Sequence, residues 1–200
     1  MRKALLAMGM GMAVLLTGCA SYQANSLSAL DPQCVREYPE IEGMQIGCKA
    51  FNEEDCYTFL DRNVIAKGYQ PIQLTFQNNT NKRYVFTTQN VSLPCVSPET
   101  VANTVHTSTV GRVAGYSVGG LFLWPLFIPA VVDGIKSSNA NKALDMDFND
   151  KMKQQFVIAP RGYAKTLIFV PKSQMSPIFD VSLLEEDTGK YKTVGLTVVQ

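Results

Sequence analysis

The chain has 200 residues, 18 basic and 17 acidic side chains, a formal charge of +1 and a hydrophobic fraction of 46%. So balanced a charge excludes recruitment of nucleic acid or an anionic membrane surface by bulk electrostatics. The length and the supply of Val, Ile, Leu and Phe are enough for one good core, so a single domain is expected.

At the start, Arg2 and Lys3 form a basic tip, Ala4 to Leu16 an uncharged run, and Thr17, Gly18 and Cys19 a small-residue end. This is the three-part build of an export signal, and its uncharged run falls short of the about 20 apolar residues a bilayer span needs. Leu16-Thr17-Gly18-Cys19 resembles the bacterial lipoprotein signal, in which a cysteine thiol is acylated before cleavage makes that cysteine the new N-terminus. The resemblance covers the first 19 residues alone. It implies a signal peptide over residues 1–18 and a Cys19 carrying diacylglycerol and an N-acyl chain, with each buried methylene adding about 0.8 kcal/mol of membrane affinity. No other cofactor and no metal is expected. In that class an aspartate after the cysteine often marks inner-membrane retention; Ala20 stands here and points to the outer membrane, facing the periplasm. Loss of Arg2 and Lys3 leaves 16 basic and 17 acidic residues in the mature chain.

With Cys19 acylated, Cys34, Cys48, Cys56 and Cys95 remain, an even number in a compartment that permits disulfides. Two bridges are expected, and three connectivities stay open. Spacings of 14, 8 and 39 do not match a zinc knuckle, and the one histidine, His106, lies elsewhere.

Residues 19–42 are rich in Ser, Asn, Gln and Pro without a sustained period, as in a flexible tether. Folded structure is expected over residues 43–200, starting with a strand in which Met44, Ile46 and Cys48 alternate with smaller or polar residues. Asn52 can cap a short helix from Glu53 to Leu60, with acidic residues in its first turn. In Gln70 to Gln77, Ile72, Leu74 and Phe76 face one way and Gln73, Thr75 and Gln77 the other, which predicts one buried and one wet face. Asn78-Asn79-Thr80-Asn81 then predicts a hairpin turn, with Arg83 to Gln89 returning.

Residues 97–152 change character. Ser97 can cap a helix with Pro98 at its first position, running to Leu123 before Trp124-Pro125 stops it. A second helix is expected from about Pro129 to Met152, with Ala140, Leu144, Phe148 and Met152 on one face. Together they predict a helical hairpin inserted into the sheet domain. Gly111, Gly115 and Gly119 fall four apart on its first arm, each costing about 1 kcal/mol of helix propensity against alanine. Close approach of another helix backbone is the physical use of such a row, with the hairpin's own second arm or a partner as the neighbour. Val113 to Val132 is uncharged over 20 residues, but Pro125 and Pro129 break it and a single crossing would split the strands across a bilayer. Trp124, Phe127 and Ile128 are therefore expected at an apolar interaction tip.

Strand grammar resumes with Gln155 to Ala159, a Pro160-Arg161-Gly162 turn, Leu167 to Val170, then Phe179, Val181, Leu183, a Glu-Asp-Thr-Gly turn, and Val194, Leu196, Val198. About seven strands predict a mainly β chain with an α insertion: an immunoglobulin-like antiparallel β-sandwich carrying the helical hairpin. The acidic pairs Glu53-Glu54 and Glu185-Glu186 are expected at the surface. His106 has no sequence neighbours suited to a triad, and Gly-x-Ser-x-Gly, phosphate-loop and His-Glu-x-x-His motifs are absent, so no catalytic residues are assigned.

These features predict a non-catalytic outer-membrane lipoprotein acting as a structural or assembly component of the cell envelope, in a secretion or envelope complex. It would hold the membrane through its lipid and bind an envelope protein or a second copy through the hairpin, with no nucleic-acid partner. One alternative is a membrane-active protein whose hairpin tip enters a bilayer. Another is an envelope ligand-binding protein or enzyme with a pocket beside the hairpin.

Overall fold

A computed structural model describes residues 21–107 and 127–198. The described strands form two antiparallel sheets of four. The first has the order β1-β2-β3-β6, with β1 Val35–Glu37, β2 Met44–Ala50, β3 Tyr69–Asn78 and β6 Tyr163–Pro171. The second has the order β5-β4-β7-β8, with β4 Tyr84–Thr87, β5 Gln155–Ile158, β7 Ile178–Glu185 and β8 Lys190–Thr197. The alternation Ile72, Leu74, Phe76 on β3 places these side chains in one core with Ile46 and Ile168 of the same sheet and Phe86, Val181 and Leu196 of the other. The rings of Phe76, Phe86 and Phe156 pack there with centroids 5.1–6.0 Å apart. Two antiparallel sheets sharing a core agree with the expected sandwich.

The described helices are α1 (Glu53–Leu60), α2 (Pro98–Val105) and α3 (Phe127–Lys151). Asn52 caps α1 by accepting from the Asp55 N–H while Asp55 accepts from the Asn52 N–H, a reciprocal box. Ser97 caps α2 by accepting from the Thr100 N–H. On α3, Ala140, Leu144, Phe148 and Met152 just past its end are buried, as their spacing predicts. Leu167 and Phe169 of β6 are also buried but outside the inter-sheet core, and Phe169 stacks on Phe148 at 5.5 Å. Residues from Gln23 to His106 and from Leu144 onward make one compact unit, and the part of α3 before Leu144 falls outside it.

The structure departs from the sequence expectations at five points. The segment expected to be a tether to Glu42 is fastened well before it: the Asn25 N–H donates to Thr58 O, Ser28 O accepts from Gln73 Nε2, and Val35–Glu37 form an edge strand. For the same reason the second face of β3 is not wet. Gln73 and Thr75 are only 1% and 3% exposed, because Ser28 and Leu30 lie over that face.

The predicted hairpin after β3 is a crossing between sheets. β3 pairs with β2 and β6, whereas β4 pairs with β5 and β7. Asn78, wholly buried, holds the corner: its Nδ2 donates to Lys82 O at 2.8 Å and Ala159 O at 2.9 Å, and its Oδ1 accepts from the Thr80 N–H and hydroxyl. The Pro160-Arg161-Gly162 turn crosses back between β5 and β6 beside it, with Asn78 N–H donating to Gly162 O and Arg161 N–H to Thr80 O.

The helix from Ser97 ends at Val105 where it was expected to continue to Leu123, because His106 turns to extended backbone at φ −55°, ψ 141°. Finally, Glu185 is not a surface acid. It is 2% exposed and paired with Lys82 at 2.9 Å, while Glu186 meets Arg83 in the open.

Candidate functional site

Cys19, Gly111, Gly115, Gly119 and Trp124 lie outside the described residues, as does most of the uncharged stretch from Val113. Phe127 and Ile128 open α3. Among the described residues no helix is long and apolar enough to cross a membrane.

The described residues do build the root of the inserted segment. Where α2 gives way to extended chain, His106 Nε2 lies 2.6 Å from Asp145 Oδ1. At the next residue the Thr107 N–H donates to Asn141 Oδ1 at 2.9 Å, and Asn141 Nδ2 donates back to Thr107 O at 3.2 Å. Asn141 and Asp145 are four apart and so stack on one side of α3. The chain leaving at His106-Thr107 and the helix bringing it back are thus fastened by three hydrogen bonds within five residues of α3.

Sequence reasoning found His106 but missed Asn141 and Asp145. The available signal was their i, i+4 spacing directly beside the buried pair Ala140 and Leu144, which places two polar side chains at the rim of a packed stripe. A carboxylate on one imidazole nitrogen fixes the ring's orientation. No serine, threonine or cysteine among the described residues hydrogen-bonds the ring to complete a nucleophile pair.

A second feature lies on the outer face of the β5-β4-β7-β8 sheet. The register aligns Val157, Val85, Leu184 and Tyr191 directly across its four strands. Val157 is 44% and Tyr191 59% exposed, so the row is apolar at both edges. Two residues along β7 and β8 the face turns polar, with Ser182 and Thr193 hydroxyls 2.7 Å apart.

Beside α3, β5 and β6 a cleft of about 560 Å³ is lined by Asp147, Asp150, Lys151, Lys153, Tyr163 and Lys165, among others. Two of its cations are drawn into the fold: buried Lys151 donates to Phe59 O and Asp147, and Lys165 donates to Leu27 O, whereas Asp150 and Lys153 are exposed.

Cys34, Cys48, Cys56 and Cys95 all stand as free thiols, without the two bridges expected from their number. Burial pushes Cys48 up to about 12 and Cys56 and Cys95 up to about 11, so at neutral pH they are protonated and poor metal ligands. No cluster of three metal-ligating side chains occurs among the described residues.

The sequence matches no protein-family model, and no curated protein matches it.

Proposed function

We propose that this chain is a non-catalytic lipoprotein of the outer membrane, anchored through Cys19 and facing the periplasm, that serves as an assembly component of an envelope complex. In this reading the sandwich is immunoglobulin-like, residues 97–152 form a helical hairpin, and that hairpin engages an envelope protein or a second copy. The observation that carries the reading is the clamp of His106 and Thr107 on Asn141 and Asp145. Fastening the two ends of a segment together restricts the chain between them, which lowers the ordering cost of binding.

The sequence supports the rest. Leu16-Thr17-Gly18-Cys19 supplies the anchor, and Gly111, Gly115 and Gly119 supply a surface on which another helix backbone can lie close. The sheet crossings at Asn78 and Arg161 support the immunoglobulin-like topology, in which consecutive strands change sheets.

Two experiments test the reading. Metabolic labelling with palmitate is expected to mark the wild-type chain in the outer-membrane fraction and to miss Cys19→Ala; equal labelling of both contradicts the anchor. Gly115→Ile, whose branched side chain blocks close helix approach, is expected to lose a protein that co-purifies with the wild type from detergent-solubilised envelopes. Retention of that protein contradicts the assigned surface.

A further inference from the structure

We propose that Cys34 and Cys48 are a cross-strand dithiol that closes to a disulfide by exchange with a disulfide-bearing oxidant, and that Cys56 and Cys95 stay outside it. The inference follows from the register of β1 on β2. Val35 stands opposite Gly47, Arg36 opposite Ile46 and Glu37 opposite Gln45. Cys34 ends the short 3-10 turn Pro32–Cys34 and directly precedes β1, so chain continuity brings it to the strand end beside Cys48, the residue after Gly47 on β2. The register holds at the other end as well, where the Tyr38 N–H donates to Met44 O.

Opposed residues here share a face. A Cβ placed on Gly47 would meet Val35 Cγ2 at 3.0 Å, so Val35 and Gly47 look to one side of the sheet and Cys48, the next residue along β2, to the other. Directly opposed Cα atoms in antiparallel pairs are about 4.5–5.5 Å apart, inside the about 4.4–6.8 Å that a disulfide spans. Burial in the inter-sheet core raises the Cys48 thiol, and charge on Cys34 adds to that effect.

The other two cysteines have no such geometry. Cys95 packs against the inter-sheet core, whereas Cys56 is buried on α1. Neither falls opposite a cysteine in any strand register of the described residues.

Exposure orders the chemistry. Half-buried Cys34 can be reached by the oxidant; Cys48, buried, cannot. The Cys34 thiolate attacks one sulfur of the donor disulfide and releases the first donor thiol. Cys48 then gives up its proton and attacks the Cys34 sulfur, expelling the second. Two protein thiols lose two electrons and two protons, and one donor disulfide becomes two thiols. The high affinity of Cys48 for its proton makes the second step the slower one and makes it faster at alkaline pH. The product ties β1, three residues long and at a sheet edge, to the body of the sheet.

The test uses the full-length chain purified in detergent. It is equilibrated in buffers of glutathione and glutathione disulfide, blocked with N-ethylmaleimide, unfolded, blocked again with a heavier maleimide, and digested for mass spectrometry. In the oxidising buffers the expected result is one linked pair of peptides containing Cys34 and Cys48, with Cys56 and Cys95 alkylated. The ring it closes has 15 residues, which corresponds to a rise of roughly 6–12 °C in the unfolding midpoint of a domain this size. Cys34→Ser, which changes a half-exposed position and so spares the core, is expected to form no linked pair and to show no dependence of its midpoint on reductant. A linked peptide containing Cys56 or Cys95, or four alkylated cysteines in the most oxidising buffer, overturns the assignment.

Discussion

His106 Nε2 and Asp145 Oδ1 meet at 2.6 Å across 39 residues of sequence, and the bond lies at the point where the chain leaves and re-enters the sandwich-bearing unit. Both side chains are partly solvated, at 26% and 42% exposure, so the pair itself is worth about 0.2–1 kcal/mol. The Asn141 bonds to Thr107 add a reciprocal backbone clasp. Asn141→Ala is expected to cost about 1–2 kcal/mol in urea denaturation and to speed proteolysis between residues 107 and 141. His106→Ala is expected to stay within about 1 kcal/mol of wild type. If Asn141→Ala left both stability and cleavage unchanged, the clasp would have no role in fastening the insertion.

Asn78 makes a sharper demand. It is wholly buried, and its amide joins two sheet-crossing turns whose carbonyls, at Lys82 and Ala159, have it as donor. Asn78→Ala strands those acceptors and removes the bonds to Thr80, so a loss of about 3 kcal/mol is expected. Asn78→Asp is expected to be no better, since a carboxylate cannot donate to either carbonyl. A loss below about 1 kcal/mol for both variants would show that the corner is held by something else.

Glu185 gives a pH signature. The hydrogen bond from Lys82 holds its carboxyl below the ordinary 4.5, against the opposing effect of desolvation. A carboxyl lowered on folding contributes stability above its unfolded pKa and loses it as the pH falls through the folded one. Urea midpoints measured from neutral pH into acid are therefore expected to fall more steeply below about pH 4.5 for wild type than for Glu185→Gln. Parallel profiles would remove Glu185 from the acid response.

The tip residues separate protein docking from insertion into lipid. Trp124→Ala combined with Phe127→Ser is expected to leave vesicle binding by the unlipidated chain unchanged. If wild type bound vesicles and the double variant did not, the membrane-active alternative would replace the docking reading.

Much of the architecture was legible wherever a local pattern had a single solution. The alternation Ile72, Leu74, Phe76 specified the buried face of β3, Asn52 and Ser97 marked their helix starts, and the four-residue spacing from Ala140 to Met152 specified the packed stripe of α3. What failed depended on distant chain. Asn78 to Asn81 has the composition of a hairpin turn, and nothing local says that β4 will pair with β5, some 70 residues on, in preference to β3. Gln73 and Thr75 look like a wet face until Ser28 arrives to cover it, and Val35–Glu37 is too short to show a period. Of the candidate site, His106 was visible as a lone residue; its meaning came from Asp145 and Asn141, which only folding brings near.

The measurement that bears most directly on the central claim is photocrosslinking in native cells, with a photoreactive residue at Trp124 and a control at the exposed turn residue Thr188, followed by mass spectrometry. The account predicts a protein adduct, either an envelope protein or a second copy of this chain, at Trp124 and not at Thr188. Adducts to lipid alone, or no adduct specific to Trp124, would contradict the assignment of the inserted segment as a protein-docking device.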